Sequence, residues 1–124
     1  MQDGQENRLY IAVGDLMEEI SKETVGKYGY TRVGAVVGAT YPDEIGFLRE
    51  RLKKTFFLIP GYGAQGGSAA DVARAFDENG HGAIINASRS IIAAWKKHSG
   101  DPIEAARDEA LRMCHDLRRA IKTI

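Results

Sequence analysis

At 124 residues, with 44% hydrophobic and 27% charged side chains, the chain has the size and composition of one soluble globular domain and not of a disordered segment. Its 17 basic and 17 acidic side chains cancel, so no overall field attracts nucleic acid or an acidic membrane, and recognition of an anion must be local, with a small ligand. One cysteine, Cys114, excludes an internal disulfide or a Cys-rich metal site, and no run approaches the roughly 18 apolar residues of a membrane span.

Leu9, Val13, Leu16, Ile20 and Thr24 recur at helical spacing, opposite Glu18, Glu19, Lys22 and Glu23, and predict an amphipathic helix that stops near Gly26 to Gly29. Val33 to Ala39 is a short continuous apolar run, the pattern of a parallel strand covered on both faces. Pro42 then opens a helix whose first turn carries Asp43 and Glu44 and whose stripe is Ile45, Leu48 and Leu52. Phe56 to Ile59 is the second strand. Ser68 or Asp71 starts a helix through Phe76, Ala83 to Asn86 is the third strand, and a short helix follows from Ser90 to Trp95. Pro102 opens a long last helix through Ile103, Ala106, Ala110, Met113, Leu117, Ala120 and Ile124.

Repeated βα units imply an α/β fold with a parallel sheet, in one partial domain: a leading helix over 1–30, three βα units with loops suited to phosphate over 31–99, and a C-terminal helix over 100–124. Three parallel strands leave two edges unpaired and cannot close a barrel, so the chain reads as a piece of something larger or as part of an oligomer.

The most telling segment is Pro60-Gly61-Tyr62-Gly63-Ala64-Gln65-Gly66-Gly67, an apolar strand emptying into a loop that is half glycine. Glycine admits positive φ, and with no Cβ in the way the backbone N–H groups can turn inward around an anion. Gly61-x-Gly63-x-x-Gly66 satisfies the dinucleotide fingerprint literally, with Arg89 placed as a 2′-phosphate reader. In that fingerprint, however, the helix begins inside the motif and follows the first strand, and here neither holds. The better template is the (β/α)8 barrel, whose last two strand ends and a short extra helix commonly form a phosphate site. In that template Gln65 donates its amide, the backbone at Ser88 and Arg89 donates from a helix start, and the Arg89 guanidinium adds charge and a two-pronged fork.

Val36-Val37-Gly38-Ala39-Thr40-Tyr41-Pro42, Phe57 to Gly67, and Gly82 to Ile92 together resemble the final three strands of orotidine 5′-monophosphate decarboxylase of the longer bacterial subfamily, C-terminal part only. The resemblance implies the C-terminal portion of a TIM-type barrel, conversion of orotidine monophosphate to UMP and carbon dioxide in pyrimidine synthesis, no metal or organic cofactor, and a homodimer. It implies that Gln65, Gly66, Gly67, Ser88 and Arg89 bind phosphate and that Pro60 and Tyr62 form apolar walls. The family's catalytic Asp-x-Lys-x-x-Asp motif is missing, since no lysine here has an aspartate two positions before it. By that resemblance the chain holds the binding residues and no catalytic ones, as a truncated, split or proteolysed piece of the enzyme would, and is inactive alone. A noncatalytic phosphate-binding or nucleotide-binding half-barrel and an NADP-type dinucleotide binder are the alternatives.

The remaining candidates read as structural. His81, His98 and His115 lack metal-ligand spacing, Trp95 and Tyr41 read as packing residues, Cys114 as a buried core thiol, and Lys96-Lys97-His98 as a solvated helix end. The first residues carry no basic-then-apolar signal pattern, so the expected location is cytoplasmic, with a nucleotide monophosphate as partner and neither nucleic acid nor membrane.

Overall fold

The computed structural model describes residues 8–63, 67–97 and 100–122. Helix α1 (Leu9–Ser21) runs on into a 3-10 turn (Lys22–Thr24) and precedes β1 (Gly34–Val36), α2 (Pro42–Arg51), β2 (Phe56–Pro60), α3 (Ala69–Ala73), β3 (Ala83–Asn86), α4 (Arg89–Ile92), a second 3-10 turn (Ala94–Lys96) and α5 (Pro102–Ile121). The three strands form one parallel sheet in the order β1-β2-β3, a partial barrel with helices between successive strands and a long helix at the end. Pairing extends beyond β1, because Val37 N–H donates to Leu58 O at 2.9 Å and Ala39 N–H to Pro60 O at 3.1 Å.

Local chemistry sets the helix starts. Pro42 and Pro102 each stand in the first turn of a helix, where a missing N–H costs nothing, and the Asp101 side chain accepts from Ile103 N–H ahead of α5. Ser68 and Asp71 form a reciprocal capping box that fixes the entry to α3. The core lies on one side of the sheet, where Phe57 and Ile59 of β2 pack with Ile45 and Leu48 of α2, Val72 of α3 and Met113 of α5. Each such aliphatic or aromatic side chain contributes about 1.5–3 kcal/mol by leaving water.

The apolar strands are not covered on both faces as their composition suggested. Along β2, Phe57 and Ile59 are 0% exposed while Leu58 is 38% exposed, and Val36 and Ile84 share that open face. Helices of this chain cover only the first face, so the second, which would line a barrel's interior, meets solvent. The predicted α1 stripe is corrected for the same reason. Leu9, Val13, Leu16 and Ile20 are exposed, and α1 instead seats through Ile11 and Gly14. At Gly14 a Cβ would stand 2.8 Å from Leu52 Cδ1, so glycine sets how closely α1 approaches the end of α2. On α5 only Met113 is buried, Ile103 is exposed, and Cys114 is half-buried and not the core thiol expected. Trp95 and Tyr41 are likewise exposed, at 47% and 65%, and do not pack in the core.

The amino-terminal ends of the strands are closed by a buried cation that the sequence reading missed. Arg49 of α2 donates to the carbonyls of Thr55 at 2.8 Å, Gly82 at 3.0 Å and Ala75 at 3.4 Å, and also to Leu52 O. Its guanidinium lies 4.2 Å from the centre of the Phe57 ring. Burial lowers its pKa, a pull opposed chiefly by nearby Tyr30 and Asp77. Tyr30 donates its hydroxyl to Asp77, whose carboxylate also accepts from the N–H groups of Asn79 and His81 at 2.9 Å. Thr55 and Gly82 immediately precede β2 and β3, so this network belongs to the face of a barrel associated with stability.

Candidate phosphate site

At the opposite, carboxyl ends of the strands the register places Pro60 beside Asn86, so the chain leaves β2 and β3 at the same level. Pro60, Gly61 and Tyr62 on one side and Asn86 to Ser90 on the other line a single cavity of about 220 Å³. That volume is below the range of roughly 300–1,000 Å³ for sites that enclose a whole drug-sized ligand, and suits one end of a small molecule. Arg89 is the only charged residue among the described residues that line the cavity. It is exposed and, among the described residues, forms no ion pair, which removes the surface-pair explanation for it.

The glycines of the loop have two different physical reasons. Gly61 (φ 94°) and Gly63 (φ 77°) occupy the left-handed region that disfavours side chains. Gly67 has a packing reason. It is buried against Ala39, where a Cβ would come within 2.8 Å of the Ala39 Cβ. Gly63 N–H donates to Gly67 O at 3.0 Å, and Tyr62 and Gly67 pair as a short parallel bridge, so the two ends of the loop are pinned together. Directly afterwards Ser68 Oγ accepts from Asp71 N–H at 3.2 Å and Asp71 accepts from Ser68 N–H at 2.9 Å. The Ser68 hydroxyl also donates to the Asp71 carboxylate at 2.6 Å, and this bond first, then the one from Ser68 N–H, outweighs a small burial penalty and lowers the Asp71 pKa, which keeps the cap charged.

Of the residues singled out in the sequence, Pro60, Tyr62, Ser88 and Arg89 come together at this cavity, with Gly67 at the pinned base of the loop. Gln65 and Gly66 lie outside the described residues. Tyr62 is buried, and burial, followed by the nearby Asp116 charge, raises its hydroxyl pKa, so it remains a neutral wall. Asn86 and Ser90 were not identified from the sequence. Asn86 carried a signal, a polar residue ending an otherwise apolar strand, whereas Ser90 resembled any first-turn serine. A larger, mostly apolar groove of about 800 Å³ runs between α1 and β1, past Leu9, Val13, Val36 and Leu48. Its apolar lining makes it an uncovered packing surface, not a chemical site. Among the described residues no group of His, Cys, Asp and Glu side chains could hold a metal ion, and no helix is long and apolar enough to cross a membrane.

Comparison with known proteins adds to this geometry. The chain is 43% identical over 123 residues to an orotidine 5′-phosphate decarboxylase of Clostridium perfringens, a match covering 98% of this chain and 42% of that protein. The chain resembles part of an orotidine 5′-phosphate decarboxylase. The decarboxylase of Clostridium tetani is 41% identical over 94% of the chain and 41% of its own length, and that of Clostridium botulinum (strain Loch Maree) 48% identical over 86% and 38%. The chain thus spans about two fifths of the length of these curated decarboxylases. Among solved structures, Leishmania donovani OMP decarboxylase superposes with a TM-score of 0.57 at 26% identity, over 95% of this chain and 41% of that one. Plasmodium berghei orotidine 5′-monophosphate decarboxylase shares the fold with a TM-score of 0.64 at 14% identity, over 94% and 34%. No family model matches the chain.

Proposed function

We propose that the chain is the phosphate-gripping, C-terminal part of an orotidine 5′-phosphate decarboxylase. In this reading it holds the phosphate of orotidine monophosphate or UMP in the cavity between the glycine loop and the Ser88–Arg89 turn. The observation that carries the reading is the convergence of Pro60–Tyr62 and Asn86–Ser90 on one cavity, with Arg89 as the only charge among the described residues that line it. Main-chain N–H groups at the Ser88–Arg89 turn and a guanidinium fork are the donors a dianion requires, and they act at short range in a chain of no net charge. Gln65 and Gly66 complete the grip in this proposal, and Pro60 and Tyr62 shield it from water. The protein works in the cytoplasm as a dimer, and a complementary half-barrel supplies the remaining strands.

The division of labour has a chemical consequence. Loss of carbon dioxide leaves negative charge on a ring carbon, which a nearby ammonium must stabilise and then protonate. Phosphate binding at a remote loop lowers that barrier only when such an ammonium is in place. No lysine of this chain has an aspartate two positions before it, the pattern that the family resemblance leads one to seek, so the chain alone is expected to bind and not to turn over. Calorimetric titration with UMP and with 6-hydroxy-UMP should give saturable binding displaced by inorganic phosphate, with weaker binding of NADPH. A carbon dioxide release assay on orotidine monophosphate should read zero. Failure to bind UMP, or a preference for NADPH, would refute the phosphate assignment, and robust turnover by the chain alone would refute the division of labour.

A further inference from the structure

The open face of the sheet is built in levels. The register sets Val36, Leu58 and Ile84 side by side there as one exposed apolar level. Two residues farther along each strand the alternation returns to the same face at Gly38, Pro60 and Asn86, held level by the Ala39 N–H bond to Pro60 O and by the Pro60–Asn86 pairing. Gly38 has no side chain and Pro60 none that forms a hydrogen bond, so at this level only Asn86 offers a polar side chain. Asn86 is exposed, and a Cβ at Gly38 would meet nothing within 4 Å, so the space over the level is open. Asparagine is depleted in strands, so backbone preference gives no reason for it at the end of β3.

Asn86 also lines the cavity that holds Arg89, so it stands where that cavity meets the open face. A phosphate at Arg89 occupies a space of about 220 Å³, and whatever the phosphate is esterified to must continue outside it. In a barrel that remainder lies over the carboxyl ends of the strands, on the side the open face looks toward. Asn86 is the first side chain it meets on β3, because Ile84 beneath offers only hydrocarbon. We infer that Asn86 is a specificity-determining residue of the phosphate site: its side-chain amide hydrogen-bonds the sugar end of a bound sugar phosphate and makes the site favour the ester over free phosphate. The inference rests on the phosphate reading above and adds to it a contact beyond the phosphate. An amide carries N–H donors and a carbonyl acceptor without charge, which matches the uncharged oxygens of a sugar and leaves the anion to Arg89.

The test is calorimetric titration of wild type, Asn86→Ala and Asn86→Leu with UMP, ribose 5-phosphate and inorganic phosphate. Alanine removes the amide, and leucine replaces it with hydrocarbon of similar size, so a loss common to both reports the hydrogen bond and not the filled space. Affinity for UMP and for ribose 5-phosphate should fall about tenfold in both variants, the effect of losing one hydrogen bond, while inorganic phosphate binds as it does to wild type. Unchanged phosphate affinity also shows that the site is still folded. Equal losses for all three ligands overturn the inference, because the amide would then serve the phosphate or the fold. A loss confined to UMP overturns it too, since the contact would lie with the base, and unchanged affinities throughout overturn it while leaving the phosphate reading intact. A wild-type chain that binds none of the three overturns the phosphate reading, and this inference with it.

Discussion

Arg49 and Gly82 show how single residues decide whether the strands stay in register. A lysine at 49 would keep the charge but present one compact donor where the guanidinium fork now reaches carbonyls of Leu52, Thr55, Ala75 and Gly82. Arg49→Lys should therefore cost about 2–3 kcal/mol in urea denaturation, because one ammonium cannot reach all the buried carbonyls that the guanidinium now serves. Gly82 (φ +90°) lies in the same knot, and an added Cβ would stand 2.8 Å from Tyr30 Oη and 2.9 Å from Arg49 Nη1. Gly82→Ala combines backbone strain with that collision and should cost at least about 2 kcal/mol. Both changes act at the amino-terminal ends of the strands, so whatever UMP binding the chain shows should be nearly unchanged in the fraction that remains folded. A loss of UMP affinity greater than the loss of folded protein would contradict this separation of a stability face from a binding face.

Among the elements, the segment before β1 is tied to the turn after α3 through Tyr30 and Asp77, which gives the tie a defined pH range. Burial first, then the hydrogen bond to Asp77, pushes the Tyr30 hydroxyl from its usual 10.0 up to about 12. A group with a raised folded pKa contributes stability that is intact below the unfolded value and disappears as pH rises through the folded one. Wild type should therefore lose more stability than Tyr30→Phe between pH 10 and about 12, followed by chemical denaturation. On the acid side, burial works to raise the Asp77 pKa, but bonds from Tyr30, His81 and Asn79 prevail and lower it. Its contribution is present above the usual 3.8 and fades as pH falls below that, a slope that Asp77→Asn should flatten. This network was not legible in the sequence, because it joins positions 30, 49, 77 and 82 through loops whose spacing carries no periodic signal. The elements themselves were legible where local chemistry decides them: Pro42, Pro102 and the Ser68–Asp71 box marked helix starts, and unbroken apolar runs marked strands. The convergence of residues 60–62 with 86–90 could be inferred because βα order fixes which ends of parallel strands lie side by side. Burial was misjudged for α1 and for the sheet, since apolar periodicity tells which face seeks cover and not whether this chain supplies it.

For the molecule as a whole, the decisive property is a sheet finished on one face only. Leu58 and Ile59 are neighbours on β2 with the same character, and a closed barrel would bury both. Here Ile59 is 0% and Leu58 38% exposed, so their substitution should separate sharply. Ile59→Ala removes fully buried methyl groups and opens a cavity under α2 and α3, which should cost about 2–5 kcal/mol. Leu58→Ser on the isolated chain should change stability by only about 0.5 kcal/mol, as for surface positions, and should reduce self-association through the open face. Urea denaturation of the two variants, with sedimentation to measure association, checks both arms. Supplying the missing strands, by linking the chain to the preceding part of a Clostridium decarboxylase, should reverse the outcome at position 58. With an opposing layer in place the serine would be buried without a partner, and its cost should rise to roughly that of a core substitution. Equal costs at 58 and 59 in the chain alone would mean that the inner face is already covered, and the partial-barrel account of this molecule would have to be abandoned.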